Sequence, residues 1–393
     1  MVGRPASGRH TGWPVGCAMI RMNAVSSNHP HALLSGFHHI MRFSRRLTTL
    51  ILITLALAGC AQEPHIKASP RYAKYARLVP PDRVMTLSDH AHIPLRIWPA
   101  QGAEKGVILA LHGFNDSRDA WETTAPAFAQ AGFSVWAPDL RGFGAAPDRG
   151  GWVGSGRLAD DVREELTLLA AEHPGKPVWL MGESMGGAVA MIVASHPAAL
   201  PLSGVILLAP AVWNTGLVGR ASAHLLAAIA PDGSVSGREL PVHVVASDNI
   251  EALRRLYFDP LTLHVTKFVA LQGLVDLMTQ AAHAAKRQKL PTLVVYGDRD
   301  QLVPAQAMAK AWRRFPSSVR RDLIPGGHHL LLRERAGRRV VADILSWLEQ
   351  PDVLLPSGGD ISAGVWAAEQ GGGQDVNGPF GLLPSQIDRL SLP

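Results

Sequence analysis

Cysteine is almost missing from this 393-residue chain, which has only Cys17 and Cys60. So few thiols leave no room for a disulfide framework or a cysteine metal site. Aromatic residues make up 6% and charged residues 18%. That low charge, beside 47% hydrophobic residues, excludes a disordered, collagen-like or coiled-coil chain. Asp and Glu are absent from positions 1–59, which carry six Arg at 4, 9, 21, 42, 45 and 46. Taking these six from the 38 Lys and Arg leaves 32 against 32 Asp and Glu. The net charge of +6 therefore sits in the leader, and the neutral body offers no basic surface for nucleic acid.

A membrane-spanning run is lacking too. Residues 47–58 (LTTLILITLALA) span roughly 18 Å as a helix, short of a ~30 Å hydrocarbon core. Behind the cationic residues 41–46 (MRFSRR) they read as a secretory signal sequence, with Met41 as the start. Residues 1–40, rich in Gly, His and Ser, read as a start-site artefact or a disordered extension. The run ends in Leu57-Ala58-Gly59-Cys60, which resembles the lipobox of bacterial lipoproteins. The resemblance implies cleavage after residue 59, acylation of Cys60 and a lipid-anchored protein of the bacterial envelope. Ala61, where Asp would favour the inner membrane, points to the outer one.

Residues 60–82 are polar and proline-punctuated, suited to a tether. From residue 83 to 350, strand-like and helix-like segments alternate, which predicts a mostly parallel sheet with helices on both faces. Segments 83–87 and 94–98 read as a hairpin. Segments 106–111, 134–137, 177–181, 204–208, 291–296 and 319–324 read as buried strands. Helices are expected at 158–173, 185–195 and 340–348. Residues 213–290 interrupt the alternation. They read as a lid or as further core helices, with Phe268, Leu271, Val275, Met278 and Ala282 on one helical face. The tail, 351–393, holds many Gly and few apolar residues and reads as disordered.

Gly182-Glu183-Ser184-Met185-Gly186 is a G-x-S-x-G string, expected by chance roughly 0.2 times in a chain of this composition. Its place between the strand PVWLM and the helix MGGAVAMIVAS is what gives it weight. That strand–turn–helix holds a serine nucleophile on a strained elbow, at a helix N-terminus that favours negative charge. A serine needs a base, and a histidine base needs an orienting group. Of the His residues downstream, His328 and His329 follow a strand in PGGHH, and Asp298 and Asp300 end the strand PTLVVY. The order Ser, Asp, His, each at a strand's carboxyl end, is that of an acyl-transfer triad.

These residues resemble the α/β-hydrolase superfamily, and within it the monoacylglycerol lipase and lysophospholipase group labelled serine aminopeptidase S33-like. The group's strand-end motif corresponds to residues 297–304 (GDRDQLVP) and implies Asp300 as the acid. Its closing motif corresponds to 326–334 (GGHHLLLRE) and implies His329 as the base. A D-x-R-G-x-G loop is matched by 139–144 (DLRGFG). By the same resemblance, the backbone N–H groups of Phe114 and Met185 form the oxyanion hole, although Asn115 departs from the usual H-G-x-G. The implied reaction is cofactor-free hydrolysis of a lipid-like ester, such as a monoacylglycerol or lysophospholipid. A short-chain carboxylesterase, or a non-catalytic envelope binding module on a hydrolase scaffold, are the alternatives. Peptidase action lacks an acidic lid cluster for a substrate amine, and His90-x-His92 lacks a third ligand, so no metal is expected.

Overall fold

In a computed structural model the described residues are Glu63, 66–196, 200–236 and 244–372. They all lie in the second of two units, Leu55–Pro393. The signal-like leader, Cys60 and positions 373–393 lie outside the described residues.

The unbroken apolar runs become strands because each has two faces to bury. The hairpin is β1 (Arg83–Thr86) and β2 (His92–Trp98), paired antiparallel. Then come β3 (Gly106–Leu111), α1 (Ala125–Gln130), β4 (Phe133–Pro138), α2 (Ser155–Glu172), β5 (Val178–Glu183), α3 (Met185–Ala194) and β6 (Gly204–Leu208). An excursion follows, made of α4 (Gly216–Ile229), β7 (Ser234–Ser236), α5 (Ile250–Phe258) and β8 (Val265–Lys267). The chain returns through α6 (Phe268–Ala284), β9 (Thr292–Gly297), α7 (Ala305–Trp312), β10 (Arg320–Ile324), α8 (Gly337–Glu349) and α9 (Gly359–Ala367). The sheet order is β1-β2-β4-β3-β5-β6-β9-β10, parallel from β4 onward. The expected mostly parallel sheet with helices on both faces is what forms.

Alternation along each strand builds two cores. Val107, Leu109, Leu180, Leu207 and Val294 face α2, α3 and α6. Ile108, Ala110, Met181, Ile206 and Val295 face α1 and α8.

Three sequence expectations change. The lid range 213–290 is two things, because α6 packs on the sheet face with α3, burying Leu277, Ala281 and Ala282. Its small residues let it lie close, so it belongs to the core. Of the described residues only 213–236 and 244–267 rise as a cap, with β7 and β8 paired and α4 held to α6 by His224 and Arg220 on Asp276. The 60–82 tether, where described, is docked rather than free. Glu63 accepts the His264 and Val265 N–H groups, Tyr72 stacks on Phe258 at 5.2 Å, and Arg255 donates to the Tyr75 carbonyl at 3.0 Å.

The third change is the tail. Residues 351–372, expected to be disordered, cover the edge strand β10. Arg320 on β10 bonds Asp360 at 2.6 Å, and Trp366 meets Trp312 at 4.8 Å and Tyr296 at 5.6 Å. Of the glycines that suggested disorder, Gly359 serves close approach, since a Cβ on it would collide with the Asp322 carboxylate.

Asp322 is wholly buried and neither of its carboxylate oxygens has a partner among the described residues. Burial, then Asp343 and Asp360, push its carboxyl well above the usual range. A raised acid binds a proton more tightly folded than unfolded, so its unfavourable contribution grows as pH rises past the ordinary carboxylate range. Asp322→Asn should therefore raise Tm by roughly 2–6 °C at pH 8. The gain should shrink toward pH 4, and an equal gain at both pH values in thermal melts would contradict this account.

Candidate active site

Ser184 sits between β5 and α3 with φ 53° and ψ −112°. A β-carbon residue in that region stores about 1–3 kcal/mol of strain, sustained only by its surroundings. Here the surroundings are specific. The Ser184 N–H donates to the Leu208 carbonyl at 2.9 Å, and its own carbonyl accepts from Ala211 at 2.9 Å. The elbow is thus locked to the end of β6. Gly182 and Gly186 make room for it, because a Cβ on either would overlap backbone of the elbow or of the β3 end.

Asp300 and His329, the residues the motif spacing singled out, are brought together. His329 Nδ1 donates to Asp300 Oδ2 at 2.8 Å, and both side chains are buried. The other oxygen, Asp300 Oδ1, accepts the Leu302 and Val303 N–H groups at 2.8 and 3.0 Å. The carboxylate is therefore held from three sides. The neighbours take other tasks. Asp298 accepts the Gly326 N–H at 2.7 Å, fastening the histidine loop to the end of β9. His328 turns its ring away, to Glu334 at 2.7 Å. The pairs left open by sequence are separated in this way. Ser184 Oγ makes no hydrogen bond among the described residues, and such contacts are often long before substrate tightens them.

The oxyanion loop begins at His112, whose Nε2 accepts the Leu140 N–H at 2.9 Å. Its proton is therefore on Nδ1, which donates to the Gly113 carbonyl at 2.8 Å. Gly113 lies against Ser184, with a Cβ placed there falling 3.5 Å from Ser184 Cβ. Asn115 has φ 61°, the left-handed conformation that asparagine tolerates better than most residues. It takes the role of the expected glycine and adds a bond glycine lacks, Nδ2 to Thr266 at 2.7 Å. Leu263 N–H donates to the Asn115 carbonyl at 2.9 Å, so the cap is tied to this loop. Phe143, at the position where histidine is common, is buried and props Phe114 edge-on at 5.4 Å. The Phe114 and Met185 N–H groups have no acceptor among the described residues.

The D-x-R-G-x-G loop is fixed by ions. Asp139 accepts the backbone N–H and guanidinium of Arg118 and the Ala145 N–H. Arg141 forms two bonds to Asp161, 2.8 and 2.9 Å. Sequence reasoning missed one group of residues here. Arg333, wholly buried, reaches Glu183 at 2.5 Å and Asp116 at 2.8 Å. Burial would lower its proton affinity, but the two carboxylates reverse this and hold it above the usual range. The available signal was charge in apolar company: Glu183 between a strand and an apolar helix, Arg333 after three leucines.

With this geometry in hand, comparison with known proteins is specific. A family model described as serine aminopeptidase, S33, matches residues 102–336. A monoacylglycerol lipase of Mycolicibacterium smegmatis is 29% identical over 265 residues, covering 64% of this chain and 91% of that protein. Among solved structures, a soluble variant of the monoglyceride lipase of Saccharomyces cerevisiae superposes with a TM-score of 0.61 at 19% identity. It covers 74% of this chain and 99% of the other. The monoacylglycerol lipase of Paleococcus ferrophilus gives 0.56 at 23% identity, over 65% and 98%. The chain belongs to the serine aminopeptidase S33 family of α/β-hydrolases.

Proposed function

We propose that this chain hydrolyses carboxylic esters of lipid-like alcohols, monoacylglycerols or lysophospholipids, through an acyl group on Ser184. The observation that carries the reading is the Asp300–His329 bond at the same sheet rim as a serine held at positive φ. In the first step Ser184 Oγ attacks the ester carbonyl while its proton passes to His329 Nε2. Asp300 keeps the other ring nitrogen protonated and steadies the imidazolium. The Phe114 and Met185 amides receive the developing oxyanion, each lowering the barrier by roughly 3 kcal/mol. The bond to the alcohol then breaks, and His329 returns its proton to the leaving oxygen. Water repeats the sequence and releases the acid.

The lipid-like character is supported by the cap. Leu217 and Val218 of α4 are 84% and 81% exposed, and Leu225 and Ile229 stand out on the same helix. Apolar surface of this kind suits substrates presented in an aggregate. We also propose the lipid anchor at Cys60 and an outer-membrane location, on the strength of the leader's charge, its apolar run and LAGC.

A fluorophosphonate probe should label Ser184, and Ser184→Ala should abolish labelling in a folded protein. Full labelling of that variant would remove the nucleophile from the reading, and an unlabelled wild-type protein would favour the binding module. Asp300→Asn should lower kcat by roughly 10³–10⁴ with little change in KM. In a panel of esters of graded acyl length, long chains in micelles should be preferred. A preference for short, soluble esters would make the protein a carboxylesterase. Cys60→Ser should move the protein from the membrane to the soluble fraction, and unchanged retention would refute acylation there.

A further inference from the structure

The proposed mechanism does not use the charges behind the site. Arg333 stands four positions after His329, Glu183 immediately precedes Ser184, and Asp116 is two residues beyond Phe114. One guanidinium therefore touches the loops that bear the base, the nucleophile and an oxyanion donor. The strands that carry these loops are not all neighbours, since β10 is separated from β5 by β6 and β9. Sheet hydrogen bonds alone leave the histidine loop free to shift against the elbow.

Asp116 passes the constraint on. Its Oδ1 accepts the Ser117 N–H at 2.8 Å, and its own N–H donates to the Gly113 carbonyl at 3.3 Å. These bonds close the turn that aims the Phe114 amide. The Arg333 carbonyl accepts from Ser247 at 3.2 Å, and the Leu330 N–H donates to the Ala246 carbonyl at 2.8 Å. A segment of the cap is thus stitched to the same loop.

Resting on the reading of Ser184 and His329 above, we propose that Arg333 is a positioning residue for ester hydrolysis, its bonds to Glu183 and Asp116 setting the distance between base, nucleophile and oxyanion donor. It touches no reacting atom. Its removal displaces groups that must align, and a misplacement of about 1 Å costs on the order of 10²-fold in rate.

The structure also supplies a route for testing this. Asp116 and Arg333 line a cavity of about 300 Å³ together with Asp119, Asn249 and Arg255, and exposed Lys74 and Arg77 lie at the same cavity. In Arg333→Ala the vacated space joins that cavity, and a small guanidinium ion can enter and meet both carboxylates. Steady-state kinetics on a soluble ester should show kcat reduced roughly 10²-fold with KM within about 2-fold. Millimolar guanidinium should restore kcat saturably, whereas tetramethylammonium at equal ionic strength should not. Arg333→Lys keeps the charge but offers one point instead of a fork, and should remain folded with an intermediate kcat. An unchanged kcat in folded Arg333→Ala, or a loss lying wholly in KM, would overturn the proposal. So would the two variants both failing to fold, which would make the residue structural. Ser184→Ala serves as the control: if it keeps full turnover, the reaction assignment fails, not the role of Arg333.

Discussion

Buried charge must be paired, and this requirement organises the rim where the strands end. Ions carried by the loops there find their partners on a different segment of the chain. Asp139 holds Arg118, and Arg141 holds Asp161. Asp300 holds His329, and Arg333 lies between Glu183 and Asp116. A buried ion deprived of its partner costs about 3–5 kcal/mol, so a loop that drifts forfeits a large fraction of a domain's net stability. The result is a set of irregular segments about as well fixed as the strands that bear them.

The second constraint is steric, and it acts on Ser184. A serine at φ 53° persists only where other forces exceed its strain. Those forces are the two backbone bonds to the end of β6 and the burial of all of α3 except Ile192. The helix lies this close because its first turns are Gly and Ala. The same closeness brings the Met185 amide to the helix N-terminus with no acceptor among the described residues, which is the condition an oxyanion donor must meet. Strain, small residues and an idle amide are one feature described three ways.

Much of this was legible in sequence, and the reasons for the rest are physical. The strands were visible because burial on both faces leaves unbroken apolar runs; 106–111 and 204–208 coincide with β3 and β6. The Asp300–His329 contact was legible because strand-end motifs have fixed spacing. The lid boundary was not, because α6 shows the same one-sided pattern whether it roofs a site or backs a sheet. The C-terminal helix was hidden by composition, since a left-handed helix start at Gly358 and a tight approach at Gly359 look the same in sequence as disorder. Neither the docked segment before β1 nor α9 falls within the family match at 102–336, so resemblance could not supply them. The Arg333–Glu183 contact was the least legible, joining residues 150 apart through no local pattern.

Stability alone does not account for that ion group. Apolar side chains of similar volume would hold the same loops about as well, since the cost of desolvating three charges offsets most of their attraction. What ions add is direction. A packed leucine tolerates sliding by a fraction of an ångström with little change in energy, whereas a guanidinium bound to two carboxylates loses its bonds when any of the three moves. The group also carries one more negative charge than positive, close to where an oxyanion is to form. In the proposed mechanism that excess disfavours the transition state, and the Phe114 and Met185 amides are what must offset it. The geometry those amides require is what the same carboxylates hold in place.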